Sequence, residues 1–215
     1  MRSNESLQPI ATRLGVEVAA VGAVLDVESS GSAMCDDRPV IRFEVHKFWD
    51  HCSADQRKAM DGVFHVVGRE PWNPTQSGRW RGHQMKRDGV WVWLHKPGKM
   101  SQTQALEYEA LARAKQINAD AAVLSTSYGL AQILGEHWIE AGFGSIAEFE
   151  AAQGTEEGQI ESFIALVQNT PRFLDPLRRL DWKTFARNYN GPGQPDYYAK
   201  RLAEAFAARG GGEES

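Results

Sequence analysis

The sequence predicts a mainly helical α+β domain, and three features carry that prediction. Apolar residues recur at helical spacing in several segments bounded by capping residues. Residues 38–48 alternate in the manner of an extended chain. Residues 68–98 are rich in Gly, Pro, Trp and basic side chains, with one strand-like run, Val90-Trp91-Val92-Trp93-Leu94, and read as an irregular or β-hairpin insertion. At 215 residues the chain fits a single domain spanning 1–209 with that insertion, followed by a frayed tail at 210–215.

A short helix at 7–14 precedes a second at 16–28, whose Val18, Val21, Leu25 and neighbouring alanines form an apolar stripe. Ser29-Ser30-Gly31 ends it. A glycine just past a helix commonly adopts the left-handed cap, which places Glu28 in the last turn. Residues 38–48 suit a short strand or extended arm, followed by a helix capped near Ser53. Beyond the insertion, Ser101 caps a long helix through Ile117, with Glu107 and Lys115 on its polar surface. Short helices broken by glycine follow at 119–124 and 128–134, then a turn containing Trp138 that closes at Gly142. In the helix at 155–168, Ile160, Phe163, Ile164 and Val167 fall at i, i+3, i+4 and i+7. Asp181 caps 182–188, and 196–208 aligns Tyr198, Leu202 and Phe206 on one face.

Apolar residues at 42% and charged ones at 24% are enough for a packed core. A net charge of -4 and a pI near 5.9 argue against a nucleic-acid partner, because such binding rests on neutralising phosphates with a basic face. Near the N-terminus, residues 7–15 are broken by Gln8, Pro9 and Arg13, so neither a signal peptide nor a membrane anchor is expected. The protein is then made in the cytoplasm and needs another route to any target outside it. Cys35 and Cys52 allow at most one bridge and lack paired zinc spacing, so free thiols are the simpler reading. Histidines 46, 65, 83, 95 and 137 show no metal-ligand spacing either, and neither metal nor cofactor is expected.

Three separated motifs carry chemistry: Val27-Glu28-Ser29-Ser30-Gly31, Ser127-Tyr128-Gly129-Leu130-Ala131-Gln132-Ile133, and Asn188-Tyr189-Asn190-Gly191-Pro192. Acid catalysis near neutral pH needs a carboxylic acid still protonated there, and a cationic transition state needs negative charge or lone pairs nearby. Glu28 fits the first need, since the negative end of a helix dipole and partial burial both raise a carboxyl pKa. The competing reading is an exposed helix-terminal carboxylate. Glu44 is the leading candidate for a second carboxylate, with Asp36, Asp37 and Asp50 as competitors and a salt bridge to Arg42 or Lys47 as the alternative.

In this order the three motifs resemble the sugar-cleaving core of goose-type lysozymes and soluble lytic transglycosylases. Arg42-Phe43-Glu44-Val45-His46-Lys47-Phe48 and the run from Asp181 to Gly191 sharpen the likeness to the N-acetylmuramidase family found in phage endolysins. The resemblance spans roughly residues 16–206, with 68–98 outside its pattern. It implies a lysozyme-like fold and cleavage of the β-1,4 bond from N-acetylmuramic acid to N-acetylglucosamine in peptidoglycan strands, with Glu28 as acid. It further implies that Ser127 and Gln132 line sugar subsites, that the Tyr189 hydroxyl reaches the acid's neighbourhood, and that Asn190 fixes the turn. Gly129 would let the backbone approach the glycan. Plainer readings stand beside these: Ser127 as a helix cap, Gln132 solvated, Tyr189 satisfied by a backbone carbonyl. The implied protein is an endolysin acting as a monomer, released to the wall by a holin, with a secreted effector also compatible. A lytic transglycosylase making anhydro-muramic ends, and a murein-binding or virion protein without catalysis, are the alternatives. Trp72, Trp80, Trp91 and Trp93, with Arg79, Arg81, Lys86 and Arg87, either extend the glycan groove or pack a hairpin onto the domain.

Overall fold

The computed structural model describes residues 2–29, 32–67, 82–96, 103–192 and 194–212. It opens with α1 (Asn4–Leu14) and α2 (Val18–Ser29), joined by Gly15, whose φ of 63° supplies the left-handed cap. Helix α2 buries Ala19, Ala20, Val21, Ala23, Val24 and Leu25, so it is apolar around most of its circumference rather than along one stripe. It packs against α1 and against the last helix, α11 (Pro195–Ala208), which supplies Leu202 and Phe206. Arg209, just past α11, closes this layer by pairing both its Nε and Nη2 with Asp26 at 2.8 Å while Nη1 donates to the carbonyl of Arg2. Gly22 makes room for it: a Cβ there would lie 2.5 Å from the guanidinium. The expected left-handed cap at Gly31 lies outside the described residues.

The expected arm over 38–48 is only half extended. Strands β1 (Met34–Cys35) and β2 (Arg38–Pro39) form a small ribbon, β3 (Ile41–Phe43) follows, and the chain then turns at Glu44 into helix α3 (Val45–His51). Burial of Val45 and Phe48, three residues apart, sets the helical period there. Ser53 caps α4 (Ala54–Met60) in a reciprocal capping box with Gln56.

Strands β4 (Phe64–Val66), β5 (His83–Arg87) and β6 (Val90–His95) form an antiparallel sheet. The β5–β6 hairpin turns on Asp88 and Gly89, both at positive φ, which matches the right-handed twist of the flanking strands. The described part of the insertion is therefore a hairpin, whereas Trp72, Trp80, Arg79 and Arg81 lie outside the described residues. So does Ser101. Helix α5 (Gln104–Ile117) starts at Thr103, and Glu107, expected on its polar face, is 0% exposed. Its carboxylate accepts the Phe43 amide and meets His95, so it is a buried strut between α5, β3 and β6.

Helix α6 (Ala119–Leu124) forms as expected, but residues 128–134 are not helical. Strand β7 (Thr126–Tyr128) pairs with β3 on one side and β8 (Ile133–Leu134) on the other. Gly129 at φ 66° and Gln132 at φ 47° bend the chain back between them, a conformation no helix accommodates. A 3-10 turn at Gly135–His137 leads past Gly142, again at positive φ, into α7 (Ile146–Gln153) and α8 (Glu156–Asn169). Thr155 caps α8, and Asp181 caps α10 (Trp182–Tyr189) by accepting from the Thr184 amide. Between them, α9 (Pro171–Arg178) begins with proline at a position where its missing N–H is not needed. Helix α7 and helix α9 had no counterpart in the sequence expectations. Cys35 and Cys52 are free thiols, as the simpler reading held.

Candidate active site

Glu28 sits one residue from the end of α2, as the Ser-Ser-Gly stop suggested. Its carboxyl is pushed up to about 7, because burial penalises the charged form; a hydrogen bond from Asn190 and the positive charge of Arg201 oppose the shift without cancelling it. Asn190 Nδ2 donates to Glu28 Oε1 at 2.8 Å, so the third motif holds the acid directly. The partner role expected of the tyrosine hydroxyl belongs to the asparagine. Tyr189 instead donates its hydroxyl to the Ala131 carbonyl at 2.9 Å, which was the plainer reading; burial, and after it the Glu28 charge, raise its own pKa. The Asn190 Oδ1 is buried with no hydrogen-bond partner among the described residues. A buried acceptor left open beside the acid suits a donor arriving with a ligand.

The second motif is knitted to the others through its backbone. Gln132 Nε2 donates to the Gly129 carbonyl at 2.9 Å and to Val40 at 3.3 Å, which fixes the turn and leaves the side-chain oxygen for other partners. The close approach at Gly129 is made from within the protein. A Cβ there would overlap the side chain of Gln159, a buried residue on α8 that accepts the Leu130 amide at 2.8 Å and donates to the Gln153 carbonyl at 2.9 Å. Gln159 was missed because a glutamine on a helix reads as a solvated residue. Ser127 lies mid-strand opposite Arg42, so the two side chains share one face of the sheet. Tyr198 on α11 feels the charges of both Glu28 and Arg42, though burial is the larger cause of its raised pKa.

Glu44 takes no part in tuning Glu28. Arg42 Nε donates to its Oε1 at 2.5 Å, while Oε2 lies 3.5 Å from His46 Nδ1 and 3.8 Å from His83 Nδ1. Arg42 and the histidines hold this carboxyl far below the usual range despite its burial, so it stays ionised. The salt bridge weighed against a catalytic role is the contact that forms. In the described part of the insertion, Trp91 is partly exposed, with Lys86 over its ring and His65 beside it.

A carboxyl that is half protonated at neutral pH and held by an amide has the chemistry that acid-catalysed cleavage of a glycosidic bond calls for. The family profile described as N-acetylmuramidase matches residues 17–209, and the chain belongs to that family. It is therefore a glycoside hydrolase of the muramidase class, acting on peptidoglycan. Among solved structures, the chain is similar to the crystal structure of a Burkholderia AP3 phage endolysin, with 31% identity and a TM-score of 0.68 over 97% of this chain and 71% of the other. No curated protein matches.

Proposed function

We propose that Glu28 is the general acid that protonates the leaving oxygen of the β-1,4 bond between N-acetylmuramic acid and N-acetylglucosamine. The observation that carries this reading is the Glu28 carboxyl, raised to about 7 and hydrogen-bonded by Asn190. At neutral pH about half of the molecules hold the proton the reaction needs. Asn190 positions the carboxyl, and its free Oδ1 accepts from an N-acetyl N–H or a bound water. Gln132 and Ser127 line the neighbouring wall, and Tyr189 ties that wall to the turn. Glu44 is not assigned the second-acid role, since its charge is engaged by Arg42. The protein acts as a monomeric single domain, in the manner of a phage endolysin reaching the wall through a separate release step. The likeness to the AP3 phage endolysin supports this role, and no helix among the described residues is long and apolar enough to cross a membrane.

The decisive experiment is mass spectrometry of murein digested by the purified protein. Reducing N-acetylmuramic ends are expected. Anhydro-muramic ends would replace the hydrolase by a lytic transglycosylase, and intact murein together with retained binding would favour a non-catalytic protein.

A further inference from the structure

Away from Glu28, three histidines and two carboxylates meet where the β4–β5–β6 sheet joins the body of the protein. His83 and His95, facing each other across β5 and β6, are 3% and 0% exposed. Their Nδ1 atoms approach to 2.7 Å, and His83 Nδ1 lies 3.8 Å from Glu44 Oε2. One ligand atom from each of Glu44, His83 and His95 falls within 4.8 Å of the others. Ions of the zinc type, bound by N and O ligands at about 2.0–2.2 Å, set neighbouring ligand atoms about 3.3 Å apart. The distances seen fall on both sides of that value, so small ring movements would centre an ion.

The outer contacts fit the same use. His95 Nε2 lies 2.8 Å from Glu107 Oε1, and Glu107 Oε2 accepts the Phe43 amide at 2.9 Å. A carboxylate at Nε2 keeps the proton there and turns the Nδ1 lone pair inward, the arrangement that orients most metal-bound histidines. His83 Nε2 meets His46 Nδ1 at 3.1 Å, and in the tautomer where His46 Nδ1 accepts, the His83 Nδ1 lone pair is likewise turned inward. Arg42 engages the far oxygen of Glu44, leaving Oε2 toward the histidines.

We propose that Glu44, His83 and His95 bind a divalent transition-metal ion of the zinc type, oriented through Glu107 and His46, as a structural clamp. Two imidazoles and one carboxylate form a borderline donor set that suits zinc over calcium or magnesium, which prefer all-oxygen sites. The ligands come from the N-terminus of α3 and from both strands of the hairpin, and the orienting carboxylate comes from α5. An ion there fastens the tryptophan-bearing hairpin to the sheet edge that continues into Arg42.

Tag-free protein is stripped with a chelator, then titrated with Zn2+ and separately with Co2+, following elemental analysis, visible absorption and thermal unfolding. The expected result is about one equivalent bound, a Co2+ spectrum of a four- or five-coordinate site, and Tm raised by on the order of 5–10 °C on loading. His83→Gln and His95→Ala abolish the spectrum, Glu107→Gln weakens Zn2+ binding about 10–100-fold, and His51→Gln leaves it intact. Wild-type protein that takes up no metal and keeps the same Tm overturns the proposal, leaving a plain hydrogen-bond chain ending on Glu107. Equal uptake by folded His83→Gln protein also overturns it, by placing the metal elsewhere. The wild-type titration needs no variant to fold.

Discussion

Replacing Glu28 by glutamine separates its two effects, one on catalysis and one on stability. Raising the carboxyl from an ordinary 4.5 to about 7 means that the buried ionised form is disfavoured, by about 3 kcal/mol at about 1.36 kcal/mol per tenfold step. Below pH 4.5 the folded and unfolded chains are both protonated at this site and the penalty is absent. Between 4.5 and about 7 the unfolded chain releases its proton while the folded one keeps it, so stability falls as pH rises. Well above pH 7 the full penalty is present. Glu28→Gln cannot ionise and still accepts from Asn190, so at pH 9 it should unfold about 6–12 °C above the wild type, whereas at pH 4 the two should coincide. Murein-clearing activity should drop about 10²–10⁴-fold at and below pH 7, and the gap should narrow at higher pH as the wild type loses its own proton. Wild-type activity should fall about tenfold per pH unit above 7, reaching about one-hundredth at pH 9. Parallel Tm profiles from pH 4 to 9 would refute the raised acid, and undiminished lysis by Glu28→Gln would refute its role.

Asn190→Ala removes the hydrogen bond that opposes the shift at Glu28, so the alkaline limb of the activity profile should move to higher pH while the maximal rate falls about tenfold; a pH–rate series on soluble murein fragments measures both. Gly129→Ala meets the side chain of Gln159 at a positive-φ position, and urea unfolding should show a loss of about 2–3 kcal/mol. Arg209→Ala strands Asp26 in the α2–α11 layer, and the same measurement should show about 3 kcal/mol lost, with little change in activity per folded molecule.

Much of the fold was legible because local periodicity carried it. The α8 pattern of Ile160, Phe163, Ile164 and Val167, and the caps at Thr155 and Asp181, stand where expected. Residues 128–134 misled because their strand character comes from pairing with β3, more than eighty residues earlier, and periodicity sees only neighbours. Glu107 misled for a related reason: a glutamate in a helix looks solvent-facing until a histidine and a strand amide arrive to bury it. At the acid, Glu28 and Asn190 were readable as motif members, but which of Tyr189 and Asn190 holds the carboxyl depends on the rotation of α10, which no spacing encodes. The histidine pair was hidden by a register shift. Counting back from the Asp88-Gly89 turn sets His83 opposite Leu94, and only the irregularity after His83 brings His95 across from it.

The Arg209 clamp joins the two ends of the described chain, with Arg2 and Asn4 both accepting from one guanidinium. A short peptide bridging those ends would turn the described chain into a closed ring. Because a linear unfolded chain must give up the entropy of bringing its ends together and a ring has already lost it, such a cyclised enzyme should unfold at higher temperature. New ends could then be opened at the exposed Asp88-Gly89 tip, a site where cutting breaks no side of the acid's surroundings.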